Sequence, residues 1–130
     1  LKPAGRLDAD SRGLILLTND GDYANQLTHP SAQKLKRYNV TLDHSLTDDH
    51  ISALGEGVEM ADGISKLDVE KGNSDACYVV SMSEGRNRQI RRTFDALGYT
   101  VRDLQRIQFG PYGLQDIKEG TYAASSKKAL

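Results

Sequence analysis

The sequence predicts an α+β domain with a mixed, mainly antiparallel sheet and flanking helices. Short segments with the two-residue periodicity of strands alternate along the chain with segments that have helical spacing and capping residues. The 130 residues, of which 38% are hydrophobic, contain no internal repeat and no low-complexity tract. That length and composition are typical of one globular domain with a single core.

The first half of the chain contains two predicted strands separated by a helix. The apolar run Gly13–Thr18 predicts a buried strand that is closed by a turn at Asn19–Gly21. A short helix is predicted over Asp22–Thr28, before Pro30. Apolar and polar residues alternate over Tyr38–Leu42, which predicts a strand with one buried face.

A second helix and two strands are predicted next. Thr47 is a typical N-cap residue, and Asp48 and Asp49 follow where the helix dipole favours acids, so we expect a helix through about Leu54. Two strands are then predicted around a turn at Asn73–Ser74; they cover residues Lys66–Lys71 and Ala76–Met82.

The third predicted helix runs from about Asn87 to Leu97. Ile90, Phe94 and Leu97 are spaced to form its buried stripe, and Gly98 is a typical residue after a helix end. Strands are predicted over Thr100–Ile107 and, more briefly, Thr121–Ala123. Residues 1–124 are therefore expected to form the domain, and 125–130 a frayed tail.

The charges are segregated although the formal net charge is only −1. Residues 43–75 carry nine acids against two lysines, whereas residues 86–106 carry six of the nine arginines. Arginine suits bidentate contacts with phosphate and stacking on bases, so the second segment is a candidate phosphate-binding surface. A solvated helix face is the alternative.

Several classes of protein are not expected. The single cysteine, Cys77, lies in a predicted buried strand and permits no internal disulfide framework or cysteine-rich zinc site, which favours a reducing, cytoplasmic location. Every apolar run is far shorter than a membrane-spanning segment, so no membrane association is expected. The three histidines lack the spacing of metal ligands, and we expect no metal site.

Three segments are candidates for chemistry. Gly5–Asp8 places a carboxylate just before an apolar run, although a turn or N-cap aspartate is an alternative. Glu84–Arg92 combines a glycine, four arginines and a helix start, which together indicate an anion site. Tyr38 follows the basic run Lys34–Arg37 and could stack on an unpaired base or simply pack in the sheet.

In this order, these segments resemble the RsuA-type family of ribosomal-RNA pseudouridine synthases, which includes the RluB, RluE and RluF groups. The resemblance covers most of residues 3–124. It rests on Gly5–Asp8, Gly13–Gly21, Lys36–Val40, Glu84–Arg92, and Gly98, Val101, Leu104 and Arg106.

The resemblance implies roles for individual residues. Asp8 matches the catalytic aspartate and Tyr38 the tyrosine that stacks on the uracil and relays a proton. Arg91 is the first choice for the arginine that pairs with Asp8, and Arg88 is the alternative. Arg6 matches the arginine that fills the gap left by the flipped uridine, and Ile90 the apolar residue that packs against the base. The other expected RNA-binding residues are Lys36, Arg37, Arg86, Arg88 and Arg92.

The implied function is isomerisation of a uridine in ribosomal RNA to pseudouridine, for which no cofactor is expected. Family members usually carry an upstream RNA-binding domain and a longer catalytic domain, so we expect this chain to be a piece with reduced RNA affinity. Two alternatives remain: a non-catalytic RNA-binding or ribosome-assembly module, and a domain that binds a small anion at residues 86–92. The oligomeric state stays open.

Overall fold

The computed structural model describes residues 1–130, except for the side chain of Pro30. The helices are α1 (Gly21–Thr28), α2 (Asp48–Glu56) and α3 (Gln89–Ala96), with a 3-10 turn at Pro30–Ala32. The strands are β1 (Lys2–Ala4), β2 (Arg12–Gly13), β3 (Leu16–Thr18), β4 (Lys36–Leu42), β5 (Val58–Met60), β6 (Gly63–Ser65), β7 (Asp68–Lys71), β8 (Cys77–Met82), β9 (Val101–Phe109) and β10 (Tyr112–Gly113).

The central sheet has the strand order β10-β9-β4-β8-β7, and all of these neighbours are antiparallel. The short strand β2 joins β9 in parallel, which makes the sheet mixed. β1 pairs with β3, and β5 pairs with β6, in two separate antiparallel ribbons. This architecture confirms the predicted α+β class.

Two clusters of buried side chains form the core. The larger contains alternate residues of β4 and β8, together with Leu54 of α2 and Phe94 of α3. The smaller joins the β1–β3 ribbon and α1 to Phe109 at the end of β9. The end of β9 lies between the two clusters. Tyr38, which is paired with β9, belongs to the first cluster, and Phe109, the last residue of β9, belongs to the second.

The three helix predictions are confirmed, and each helix has the expected local cause. The Thr47 side chain caps α2 by accepting a hydrogen bond from the His50 amide at 3.2 Å. In α3, Ile90 and Phe94 are buried and Leu97 packs against the same core. The alternation over β4 is also confirmed, since Tyr38, Val40 and Leu42 are buried.

The prediction of one buried strand over Gly13–Thr18 is wrong. The Leu14 amide donates to the Arg106 carbonyl at 2.8 Å, after which the chain leaves β9 and β3 pairs with β1 instead. Leu14 is buried, but Ile15 and Leu17 are 50% and 55% exposed. The apolar run therefore crosses between two sheets rather than lying within one.

Other differences concern short elements. The β5–β6 ribbon was not predicted, β7 begins at Asp68 rather than Lys66, and the last strand is β10 rather than Thr121–Ala123. Cys77 is only half-buried. The tail is not frayed, because Lys127 pairs with Asp20 at 2.7 Å and the Lys128 amide donates to the Tyr23 hydroxyl. Within the described residues, every helix is too short or too polar to cross a bilayer.

Candidate active site

Asp8 lies in the loop between β1 and β2, and a glycine near each end of the loop shapes it. Gly5 has φ +83°, a conformation that other residues rarely adopt. Gly13 lies so close to β9 that a side chain there would overlap the backbone of Arg106. Inside the loop the Ser11 amide donates to the Asp8 carbonyl at 2.9 Å. The Asp8 carboxylate is thereby presented at the surface with 41% of its side chain exposed.

Arg88 is the arginine that lies nearest to Asp8 in the described ion pairs. Its Nη1 is 3.7 Å from Asp8 Oδ2, and its two amino groups donate to both carboxylate oxygens of Asp10 at 2.8 Å. Arg88 is the N-cap of α3 and has a left-handed backbone, with φ 48°. The hydrogen bonds from Arg88 lower the pKa of Asp10 to about 2. One guanidinium therefore bridges the two aspartates of the loop.

Arg91, the first choice for pairing with Asp8, lies against Asp10 instead. Its Nη2 donates to the Asp10 carbonyl at 2.6 Å, and its Nε is 3.5 Å from the Asp10 carboxylate. Arg91 is one helical turn beyond Arg88, so it is level with the later part of the loop. The alternative choice, Arg88, is thus the one that the geometry brings to Asp8.

Tyr38 and Arg106 form the opposite side of the site. They are directly paired residues on β4 and β9, next to an irregularity of the strand register between Arg37 and Tyr38. Burial raises the pKa of the Tyr38 phenol, while the charge of Arg106 and a hydrogen-bonding interaction with it lower that pKa. The carboxylate of Asp8 also acts on this phenol and raises its pKa. Arg106 Nη1 also donates to the Arg6 carbonyl at 3.4 Å, so the loop that carries Asp8 lies beside the Tyr38–Arg106 pair.

The remaining cations near β4 are of two kinds. Lys36 is partly buried, donates to the Glu84 carbonyl at 3.3 Å and lies 5.8 Å from the centre of the Phe109 ring. Burial, and secondarily the charge of Arg106, lower the pKa of this lysine. Arg6 is exposed beside Asp8, and Arg37 is partly exposed on β4. Arg6 and Arg37 take no part in the ion pairs among the described residues.

Arg86 and Arg92, two of the expected RNA-binding residues, are instead bound to the β5–β6 ribbon. Arg92 donates to both carboxylate oxygens of Asp62 at 3.1 and 2.9 Å. Arg86 donates to Asp62 and to the Ile64 carbonyl, the latter at 2.7 Å. These hydrogen bonds hold the turn of the ribbon against the start of α3. Their first role is structural.

Ile90 is 5% exposed and belongs to the main core, so the free protein shows it packed against other side chains. Two residues near the site were missed: Asp10, as the partner of both arginines, and Arg106, as a buried charge. A signal for Arg106 exists in the sequence, because it stands two residues after Leu104 and thus on the same predicted strand face.

Comparison with known proteins identifies the family. A family model described as RNA pseudouridylate synthase matches residues 1–96. The chain belongs to the RNA pseudouridylate synthase family. Among curated proteins, the ribosomal large subunit pseudouridine synthase B of Vibrio cholerae serotype O1 is 40% identical over 111 residues, which are 82% of this chain and 34% of that protein. The dual-specificity RNA pseudouridine synthase RluF of Escherichia coli K12 is 35% identical over 120 residues, or 92% of this chain and 41% of that protein.

A solved structure gives the same family. A crystal structure titled as a pseudouridylate synthase superposes with a TM-score of 0.79 at 35% identity, covering 86% of this chain and 50% of that one. The chain thus spans less than half the length of these curated relatives. The predicted membership of the RsuA-type pseudouridine synthases is confirmed by these relatives, and the predicted fold by the superposition.

Proposed function

We propose that this pseudouridylate synthase chain carries the centre that isomerises a uridine of ribosomal RNA to pseudouridine. The reaction breaks the bond between N1 of uracil and C1′ of ribose, rotates the detached base and joins its C5 to C1′. The proton on C5 is then lost and N1 regains one, so the product has the atoms of the substrate. Ribosomal RNA as substrate also implies a cytoplasmic location.

The convergence of Asp8 and Tyr38 supports this proposal most directly. Twenty-nine residues of chain lie between them, yet Arg106 is paired with Tyr38 across the sheet and donates to the Arg6 carbonyl of the Asp8 loop at 3.4 Å. The Asp8 carboxylate has a cation beside it, since Arg88 Nη1 lies 3.7 Å from its Oδ2. A carboxylate at the surface beside an aromatic ring and several cations fits a nucleotide that has been turned out of its stack.

Each residue then has a role in the proposed reaction. Asp8 acts at the ribose or uracil of the target, Tyr38 stacks on the base and relays the C5 proton, and Arg88 pairs with Asp8. Arg6 fills the space that the uridine leaves, and Lys36 and Arg37 bind phosphates. Arg91 positions the loop through Asp10, and Ile90 supports the base.

The deciding experiment is release of tritium from C5 of uridine-labelled large-subunit ribosomal RNA. We expect release with the wild-type chain and none with Asp8→Asn, while both bind the RNA equally. Asp95→Asn is the matched control, because Asp95 is an exposed carboxylate on α3 that takes no part in the ion pairs among the described residues. Equal release from wild type and Asp8→Asn would contradict the proposal. RNA binding without release from any variant would favour the non-catalytic binding module.

A further inference from the structure

Arg106 is a buried cation whose charge no acid neutralises directly. It is 3% exposed, and the ion pairs formed among the described residues include none for it. Its guanidinium lies 4.9 Å from the centre of the Phe109 ring, which Lys36 also approaches. Burial lowers the pKa of such a group, and a second nearby cation adds to the cost. Because burying the Arg106 guanidinium near a second cation costs free energy, other interactions of this side chain must compensate for it.

The hydrogen bonds of Arg106 reach both ends of the Asp8 loop. Its Nε donates to the Leu14 carbonyl at 2.9 Å, and its Nη1 donates to the Arg6 carbonyl at 3.4 Å. Arg6 precedes Asp8 by two residues, and Leu14 follows it by six. The backbone of Arg106 holds the same segment, because its carbonyl accepts from the Leu14 amide at 2.8 Å. The position of Asp8 therefore depends on Arg106.

The same side chain faces Tyr38. The two residues are directly paired across β4 and β9, and the charge of Arg106 lowers the pKa of the buried Tyr38 phenol. A phenol beside a positive charge ionises more readily than a phenol buried alone. The charged groups around this pair are Asp8 from the loop, with Arg88 behind it, Lys36 from β4, and Glu84 facing Lys36.

We propose that Arg106 is a positioning residue of the reaction: it holds the Asp8 loop in register with Tyr38 and supplies the positive charge that favours the Tyr38 phenolate. This rests on the proposed function. When the new C5–C1′ bond has formed, C6 is doubly bonded to N1. The phenolate oxygen accepts the C5 proton, the electrons of the C–H bond restore the C5–C6 double bond, and the C6–N1 double bond opens onto N1, which takes a proton from water. The phenol then passes the proton to water. Arg106 touches neither base nor ribose in this step.

Two substitutions separate the charge from the geometry. Arg106→Met removes the positive charge and the hydrogen bonds to the two loop carbonyls while keeping a similar side-chain volume. Arg106→Lys keeps the charge, but one ammonium group on a shorter reach cannot donate to both carbonyls in the same geometry. Arg102→Met is the control, because Arg102 is an exposed arginine on the same strand.

The first measurement needs no RNA. The titration of the tyrosine ring carbons is followed by NMR, with Tyr38→Phe to identify the Tyr38 signal, and amide hydrogen exchange is measured over residues 6–14. We expect Arg106→Met to raise the pKa of Tyr38 by about one to three pH units. Arg106→Lys should leave that pKa near the wild-type value and accelerate exchange in the loop. Arg102→Met should change neither.

The second measurement is tritium release across a pH series with the same RNA. We expect Arg106→Lys to slow turnover by about 10²-fold through misplacement of Asp8, with an unchanged pH profile and unchanged RNA affinity. Arg106→Met should be slower still, with its profile moved to higher pH. The inference is overturned if both variants keep the wild-type pKa of Tyr38 and the wild-type rates of amide exchange in the loop, even if Asp8→Asn is inactive. If Arg106→Met does not fold, the test depends on Arg106→Lys alone. Unchanged amide exchange in the loop, or full turnover, in that variant would then contradict the inference.

Discussion

At the scale of single residues, Asp10 organises the arginines of the site. It is exposed, but it accepts a two-pronged hydrogen bond from Arg88 and binds Arg91 through its carbonyl. Since the left-handed backbone of Arg88 is unfavourable for a residue with a side chain, a compensating interaction is required. The pair with Asp10 provides it. Asp10 thereby fixes the cation that faces Asp8.

We expect Asp10→Asn to lower the free energy of unfolding at neutral pH and to leave it unchanged in strong acid. The folded-state pKa of Asp10 is about 2, below its ordinary value of 3.8. A carboxyl with a lowered pKa stabilises the fold above its unfolded pKa, and this contribution disappears as pH falls through the folded pKa. Urea unfolding at a series of pH values should therefore show wild type and variant converging between about pH 4 and pH 2. Asp95→Asn should have the stability of wild type at every pH. A difference in the free energy of unfolding between wild type and Asp10→Asn that does not change with pH would contradict the prediction.

Arg91→Lys should impair turnover although Arg91 does not contact Asp8. Its Nη2 donates to the Asp10 carbonyl at 2.6 Å and its Nη1 lies 3.4 Å from the Val101 carbonyl, so the guanidinium joins the loop to the start of β9. Lysine cannot span both. We expect tritium release to fall by about 10²-fold while RNA binding stays constant, with faster amide exchange at residues 8–11. Unchanged exchange with lost turnover would instead indicate direct contact with substrate.

The sequence predicted which segments form the site, but not how their side chains pair. The segments around Asp8, Tyr38 and Arg88 were identified as chemical candidates, because acids, aromatics and arginines in glycine-bounded loops are conspicuous. The exact pairing was not predictable, since Arg88 and Arg91 differ only by one helical turn and the choice depends on the loop path. Arg106 was overlooked as a buried charge because its burial arises from two strands that are distant in sequence.

At the scale of elements, the predictions succeeded where one element carries its own signal. α2 has a capping threonine and α3 an apolar stripe, and both helices formed as expected. The β5–β6 ribbon was missed because its strands have three residues each, too few to show a period. The ribbon depends instead on tertiary contacts with α3, in particular the two arginines that bind Asp62.

A buried polar network also joins this ribbon to α3, and Thr93→Val should weaken it. The Thr93 hydroxyl donates to the Gln89 carbonyl at 2.6 Å and lies 2.8 Å from the Ser65 hydroxyl, and both side chains are fully buried. Valine has nearly the same shape but leaves Ser65 without this partner. We expect the free energy of unfolding to fall by about 1–3 kcal/mol, measured by urea denaturation.

Thr100→Val is the matched control for that measurement, because Thr100 is exposed in the loop before β9. It should change the free energy of unfolding by less than about 0.5 kcal/mol. The ribbon amides should exchange faster in Thr93→Val alone. Equal stability of the two variants would show that the network is not a net contributor.

At the scale of the whole molecule, the segregation of charge along the sequence does not survive folding. Arg12 pairs with Asp103, Arg88 with Asp10, and Arg92 with Asp62. Much of the basic segment is thus neutralised by acids from elsewhere in the chain. This explains how an arginine-rich site exists in a domain with net charge −1. Apart from the buried Arg106, the cations near the site for which the described residues form no ion pair are Arg6, Lys36 and Arg37.

These three cations set the salt dependence that we expect for RNA binding. Each phosphate neutralised on single-stranded RNA contributes about −0.7 to the slope of log K against log salt, so three cations give a slope of about −2. Filter binding of a uridine-containing ribosomal RNA hairpin over a salt series measures it. Asp62→Asn should steepen the slope, because it releases Arg92 to bind a phosphate, whereas Asp95→Asn should not. A wild-type slope of about −5 would mean that the internal ion pairs open on binding, and the folded charge distribution would then not govern RNA recognition.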